Sequence, residues 1–188
     1  MIWKVNAMSC IKTYTGVMFD PVNPDPNLID IRDIAHSLAM LCRANGHFSS
    51  FYSVGQHCIN CAREAEARGW SRRVQLACLL DDGSEAYLAD VTRPVKKELP
   101  KYLEIEEPLQ NLIWEKFLDK PLTREEYKMV FEIDDGILYH EFVALMDGTR
   151  LSDREPELKS APEFEFMGFG PCTETFLKLF RELGGKTE

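Results

Sequence analysis

The chain is predicted to be all-α with an irregular loop or hairpin at its N-terminus, on three observations. Apolar residues recur three and four positions apart in six segments beyond residue 29. No region is rich in the alternating, β-branched residues that build a sheet. Proline, Asx and glycine turn formers cluster in residues 10–29 and again in 149–171.

Each element follows from local chemistry. CIKTYTGVMFDPVNPDPNLI, residues 10–29, holds three prolines and suits a short hairpin or irregular loop. A first helix carries Ile31, Ile34, Ala35, Leu38, Leu41 and Cys42 on one face, with Asp30 as its N-cap and Gly46 as its stop. A second places Val54, His57, Cys58, Cys61, Ala62 and Ala65 on its inner row and ends at Gly69. A third opens at Ser71 and carries Val74, Ala77, Cys78 and Asp81. Pro94 and Pro100 then break the chain around a basic stretch. In LEIEEPLQNLIWEKFL a fourth helix is kinked or begins near Pro108, which lacks the N–H that an interior position donates. The fifth opens on the capping-box pair Thr123 and Glu126 and runs to Leu145. Residues 149–171 have no stable period and are read as a surface wrap or a lid, before a last helix over 172–184. The whole reads as one domain, 1–188, with its core in about 12–145.

Composition narrows function. A net charge of −9 argues against the basic stripe that a nucleic-acid polymer requires, so an anionic ligand must be met by a local cluster such as Arg93, Lys96 and Lys97. No apolar run approaches the roughly 18–20 residues of a membrane span, and the opening MIWKVNAMSC lacks the pattern of a signal peptide. A soluble cytoplasmic protein is expected. The six cysteines are read as reduced, and Cys58-x-x-Cys61 as structural: no second pair completes a four-thiolate zinc site, and no strand leads into it as in a redox helix.

The informative anomaly is polar residues on apolar rows. His57, Asp81 and Asp134 each stand where a hydrophobe belongs, with Asp82, Glu85 and Glu141 beside them. One such His is ordinarily a hydrogen-bonded core residue, and one such Asp a helix cap. Three helices with the same anomaly point to a site. Inward carboxylates cost several kcal/mol each unless paired or metal-bound. The sequence offers few cations beside them, and a divalent metal (Mn, Co, Mg, Fe or Zn) would neutralise them.

The segments DIAHSLAMLCRANGHFSSFYSVGQHC, LLDDGSEAYLADVTRPVK and EIDDGILYHEF resemble the HD-domain phosphohydrolases, in particular their nucleotidase-like branch, over roughly residues 12–145. The resemblance implies a helical bundle holding a divalent metal through His57, Asp82 and Asp134, the last chosen over Asp135 by its seven-residue step to Glu141. It implies that Glu85, Asp82 and Asp90 serve catalysis, and that Arg43, His47, Asp90, Arg93 and Lys96 face the substrate. His36 of DIAH is implied either to brace the site or to touch substrate. Homo-oligomers are common in the family, and an exposed face bearing Trp114 and Phe117 is expected to serve for one.

The motif departs from the family at one residue. LLDDGSEAY has Asp81 where a metal-binding His is expected, and a carboxylate adds a charge and reaches less far than an imidazole. Asp81 then either ligates in an oxygen-rich site suited to Mg or Mn, or weakens the site, or leaves a scaffold that binds without turnover. The expected function is hydrolysis of phosphate esters or anhydrides of (deoxy)nucleotides. The alternatives are an HD scaffold that binds a nucleotide or protein partner without turnover, and a structural helical module.

Overall fold

The computed structural model describes residues 9–185; residues 1–8, on which the expectation about a signal peptide rests, and 186–188 lie outside it. The turn-rich start forms a hairpin, β1 (Ile11–Lys12) pairing antiparallel with β2 (Met18–Phe19). Thr15 at its turn donates its N–H and hydroxyl to Asp33, which pins the hairpin to the first helix. The described residues then form α1 (Ile31–Met40), α2 (Val54–Ala67), α3 (Arg72–Leu79), α4 (Glu85–Leu88), α5 (Arg93–Lys96), α6 (Pro100–Leu118), α7 (Arg124–Leu145) and α8 (Phe169–Glu182). The fold is all-α, as the periodicity predicts, and no described helix is long and apolar enough to cross a membrane.

Local signals placed the starts well. Asp30 accepts from Arg32 N–H, Ser71 from Val74 N–H, and Thr123 and Glu126 close a reciprocal capping box. Two boundaries, the ends of α1 and α3, moved for tertiary reasons, and two helix starts also differ. α1 stops at Met40, well before Gly46, because the backbone at 41–43 leaves the helix to pair with 52–54: Val54 N–H donates to Leu41 C=O at 3.0 Å and Arg43 N–H to Tyr52 C=O at 2.9 Å. α3 stops at Leu79, so Asp81 and Asp82 occupy a turn rather than a helical row. Gln110 of α6 holds that turn, donating to Leu80 C=O (2.7 Å) and accepting from Ser84 N–H (2.9 Å). α6 begins at Pro100, where a missing N–H costs nothing, and runs through Pro108. α8 starts at Phe169, three residues earlier than expected.

α2 is the central helix, packed on α1, α3, α7 and α8. One apolar cluster runs from Phe19 through Leu38, Ile59, Ile113 and Ile137 to Phe180. The face proposed for association is part of it: Trp114 is 4% and Phe117 7% exposed. Trp114 donates its indole N–H to Ala77 C=O, and Phe117 meets Phe180 edge-on with centroids 5.1 Å apart. All six cysteines are free.

Residues 149–168 wrap along α2. Gln56, Asn60 and Glu64, spaced four apart and all buried, bond the backbone of the wrap. Gln56 and Asn60 donate to Glu163 C=O, and Glu64 accepts from the N–H groups of Lys159 and Ser160 and from the Ser160 hydroxyl. Burial works to raise Glu64's pKa, but Arg68 and these donors hold it below its ordinary value. A carboxyl whose folded pKa is depressed stabilises above its unfolded pKa, about 4.3, and loses that contribution as pH falls through the folded value. Hydrogen exchange of residues 157–163 should therefore show protection that declines on acidification below about pH 4. Glu64→Gln should remove that pH dependence and open the segment locally, at a cost of about 1–3 kcal/mol. Unchanged exchange in the variant would show that the carboxylate does not anchor the wrap.

Candidate functional site

Five parts of the chain bring the inward polar residues to one place. α2, capped by Ser53, presents His57, with Cys58 and Cys61 turned the same way. The turn after α3 supplies Asp81 and Asp82, and α4 opens with Glu85. α7 carries Asp134 and, two turns on, Glu141. The segment after α1 brings in Arg43.

Gly83 lets the turn lie against α6: a Cβ there would stand 3.0 Å from Leu80 C=O and 3.2 Å from Ile113. Arg43 is aimed by a strained bend. Ala44, Asn45 and Gly46 are successively left-handed, with φ of 53°, 51° and 74°. Each left-handed non-glycine costs about 1 kcal/mol or more, offset by what Arg43 then reaches.

The centre of the site is Glu141, fully buried on α7. Its Oε1 lies 2.6 Å from His57 Nδ1, and its Oε2 accepts from Arg43 Nε at 3.1 Å. Arg43 also donates to Asp82 Oδ2 at 3.1 Å and approaches Asp134 at 3.9 Å. With Nδ1 held by Glu141, His57 turns Nε2 toward Asp134 Oδ1 (3.1 Å) and Asp82 Oδ2 (3.7 Å). Arg93 of α5 pairs with Asp134 and Asp135 and lies over the Phe131 ring at 5.6 Å. Lys96 bonds Glu106 at 2.7 Å and lies 3.6 Å from Glu85.

These cations correct an expectation drawn from the sequence, which saw few beside the acids. The fold supplies Arg43, Arg93 and Lys96 from segments whose proximity local pattern does not reveal. Among the described residues no group of three or more His, Cys, Asp or Glu side chains is arranged to hold a metal ion. The carboxylates of Asp82 and Asp134 are engaged by guanidinium groups instead.

The electrostatics divide the acids into two kinds. Burial opposes ionisation of Asp134 and Glu141, yet His57 and Arg43 hold both below the usual carboxylate range. Burial pushes Asp81 well up, and the charges of Asp134 and Asp82 add to it. Glu85 is raised by burial and then by Asp82 and Asp90. Burial and Arg43 work against a charge on His57, but Cys61, Glu141 and Asp134 raise its pKa well above the ordinary value. The site thus sets carboxyl groups pushed in opposite directions side by side.

Two cavities meet at this centre. One, of about 420 Å³, runs between the Arg43 bend, α5 and α7, with Arg43, Asp90 and Arg93 at its polar end and Phe48, Leu138 and Phe142 along its wall. The other, of about 430 Å³, opens between the Asp81 turn, α6 and α7. Asp82, Glu85 and Lys96 border both, whereas Asp81 borders only the second. Glu85 is 5% exposed and its Oε2 has no hydrogen-bond partner among the described residues.

Of the residues singled out from sequence, His57, Asp82, Asp134 and Arg43 converge directly. Glu85, Asp90, Arg93 and Lys96 line the first cavity, and Asp81 sits beside the centre on the other side. His47 is exposed and does not line either cavity. His36 stacks on Tyr14 at 3.8 Å and lines a separate surface pocket under the hairpin, so it neither touches nor braces this site. Glu141 was used from sequence only to set register. Its seven-residue step from Asp134 carried the signal of an inward row, but not its two partners.

Ala89, just before Asp90, has φ 101° and ψ 154°, a conformation that favours glycine. Tyr102 Oη donates to its carbonyl at 2.8 Å. Ala89→Gly should raise stability by about 1 kcal/mol in urea unfolding, and a loss would show that the methyl group packs usefully. Arg43→Met leaves buried Glu141 and Asp82 short of a counter-charge and should cost about 3–5 kcal/mol. Arg93→Met, at a pair 45% and 42% exposed on the Asp135 side, should cost under about 1 kcal/mol. Equal costs would refute the view that the Glu141 pair organises the site.

No family model matches the chain. It is 40% identical over 112 residues to the uncharacterized protein YfdR of Escherichia coli (strain K12), covering 58% of this chain and 59% of that protein. It is 39% identical over 101 residues to the uncharacterized protein RCAP_rcc00048 of Rhodobacter capsulatus, covering 50% of this chain and 51% of that protein. The chain thus spans about half the length of the curated relatives it matches.

Proposed function

We propose that the protein is a metal-dependent phosphohydrolase of the HD-domain kind, acting on (deoxy)nucleotides. The observation that carries the proposal is His57 clamped through Nδ1 by buried Glu141, with Nε2 turned toward Asp82 and Asp134 at the end of a cavity that pairs guanidinium groups with an apolar wall. A carboxylate behind an imidazole is the arrangement that fixes a metal-binding tautomer. The donor types suit a divalent cation, an imidazole and two carboxylates with the orphan Glu85 Oε2 nearby, while the described side chains stand paired with guanidinium groups rather than arranged around an ion. His57, Asp82 and Asp134 would hold the ion, with Asp81 beside them. When bound, it supplies charge neutralisation and a water of lowered pKa.

The chain's own residues account for the rest. Arg43 and Arg93 stand where phosphate oxygens enter, and a bidentate guanidinium matches their geometry. Binding an anion there exchanges some of the carboxylates these arginines now hold for phosphate. Glu85, dry and raised in pKa, is suited to take a proton from the attacking water and return it. Phe48, Leu138 and Phe142 offer an apolar wall to a base or sugar face.

A second reading, binding without turnover, is favoured by one observation: Arg43 pairs with Asp82 and Glu141, and Arg93 with Asp134, so guanidinium groups offset these acids. Phosphate release from a panel of deoxynucleoside mono- and triphosphates with Mn, Co or Mg separates the two. The expected result is release by the chain as written, lowered about 10²–10⁴-fold by Glu85→Gln and abolished by Asp134→Ala. Release only in Asp81→His would mark the chain as a binding form. Silence from all of them would overturn the phosphohydrolase reading.

A further inference from the structure

The second cavity, between the Asp81 turn, α6 and α7, is not used as a substrate site by the reaction proposed above, and its wall is strongly acidic. The carboxyl groups of Asp81, Asp82, Glu85, Glu106 and Glu107 border its volume of about 430 Å³ against the single ammonium of Lys96. Arg43 and Arg93 belong to the other cavity. The charge on this wall disfavours an anion and suits a cation.

Two of these acids already have donors. Asp82 accepts from Arg43 at 3.1 Å, and Glu106 accepts from Lys96 at 2.7 Å and from Tyr102 Oη at 3.2 Å. The carboxyl of half-buried Asp81, by contrast, has no hydrogen bond or ion pair among the described residues. Glu85 is only 5% exposed, and its Oε2 is without a hydrogen-bond partner among them, although Oε1 lies 3.6 Å from Lys96 Nζ. A buried carboxyl oxygen left without a donor carries its full desolvation cost, so the cavity lacks a donor at this point.

Lys96 shows which kind of donor the wall accepts. Its ammonium is held by Glu106, stands near Glu85 and lies 5.6 Å from the centre of the Tyr102 ring. The same components, carboxyl groups and aromatic rings, recur around the cavity at Asp81, Glu85, Trp114 and Tyr127. Trp114 and Tyr127 meet edge-on with centroids 5.9 Å apart and add apolar surface to the lining.

We propose that this cavity binds an alkyl ammonium, as carried by an aliphatic diamine or polyamine, with the charged head between Asp81 and Glu85 and the methylenes against Trp114 and Tyr127. An ammonium meets carboxylates at hydrogen-bond range, about 2.7–2.9 Å, and its three donors need no closed set of ligands around them. The rings add cation–π attraction and cover for the alkyl chain. Burial and neighbouring acids raise both Asp81 and Glu85, and a seated ammonium supplies further counter-charge to them. The proposal concerns binding and is independent of phosphate hydrolysis.

Calorimetric titration of the full chain with putrescine, a four-carbon diamine, at fixed ionic strength tests this. One equivalent should bind saturably, n-butylammonium should compete, and butanol should not. Asp81→Asn and Glu85→Gln, close in shape to the native side chains, should each weaken binding by about tenfold or more. Glu115→Gln, at an exposed position of α6 outside the cavity lining, should leave it unchanged. Saturation-transfer NMR on the wild-type chain, which requires no variant to fold, should place the probe's methylenes against aromatic protons. Absence of uptake or of this transfer would overturn the proposal. So would equal affinity in the two cavity variants, or loss of binding in sodium chloride and magnesium chloride alike at matched ionic strength, either of which would reduce the cavity to a diffuse acidic patch.

Discussion

The arrangement depends on one buried carboxylate. Glu141, with no exposed surface, is the shared partner of His57 from α2 and Arg43 from the segment after α1. A buried charge without partners is costly enough to reorganise its surroundings, so helix α7, helix α2 and the Arg43 bend are held to a single mutual geometry. That geometry sets the direction of His57 Nε2 and places Arg43 across Asp82. The left-handed run at Ala44–Gly46 is the strain accepted in return.

Around this point the site is organised by charge balance rather than by shape alone. Asp82, Asp134 and Glu141 share Arg43, Arg93 and His57; burial nonetheless raises Asp82, and burial with neighbouring charges pushes Asp81 and Glu85 well up, whereas Asp134 and Glu141 are held low. A divalent ion and an anionic substrate would each compete for one half of that balance, the ion for the carboxylates and the substrate for the guanidinium groups. Their binding is coupled through the same ion pairs. The second cavity, across the shared wall of Asp82, Glu85 and Lys96, gives the centre another approach from the side of Asp81.

Particular elements show how legible the molecule was. The Thr123 and Glu126 box, the Asp30 cap and the polar residues on apolar rows were visible because they depend on neighbours within one or two turns. The polar stripe Gln56, Asn60 and Glu64 also had a helical period, but its partner is a non-repetitive segment about a hundred residues away. Trp114 and Phe117 looked like an exposed face because their cover, on α3 and α8, comes from distant parts of the chain. Cys58 and Cys61 were read as structural because no second pair and no preceding strand accompany them, and their spacing carries no information about which polar side chains stand beside them.

By itself the sequence determined the helical class, the starts of α1, α2, α3 and α7 and the identity of the polar residues on the rows that meet at the site, since capping and amphipathic period are short-range interactions. Tertiary structure decided the ends of α1 and α3, where backbone groups at 41–43 and at Leu80 find partners outside their own helices. It also decided the pairing of Arg43 with Glu141 across 98 residues and of Cys61 with His57's free nitrogen face. Ion pairs and sulfur contacts of this kind form only where packing has already brought the helices together, so the chemistry of the site is a property of the fold.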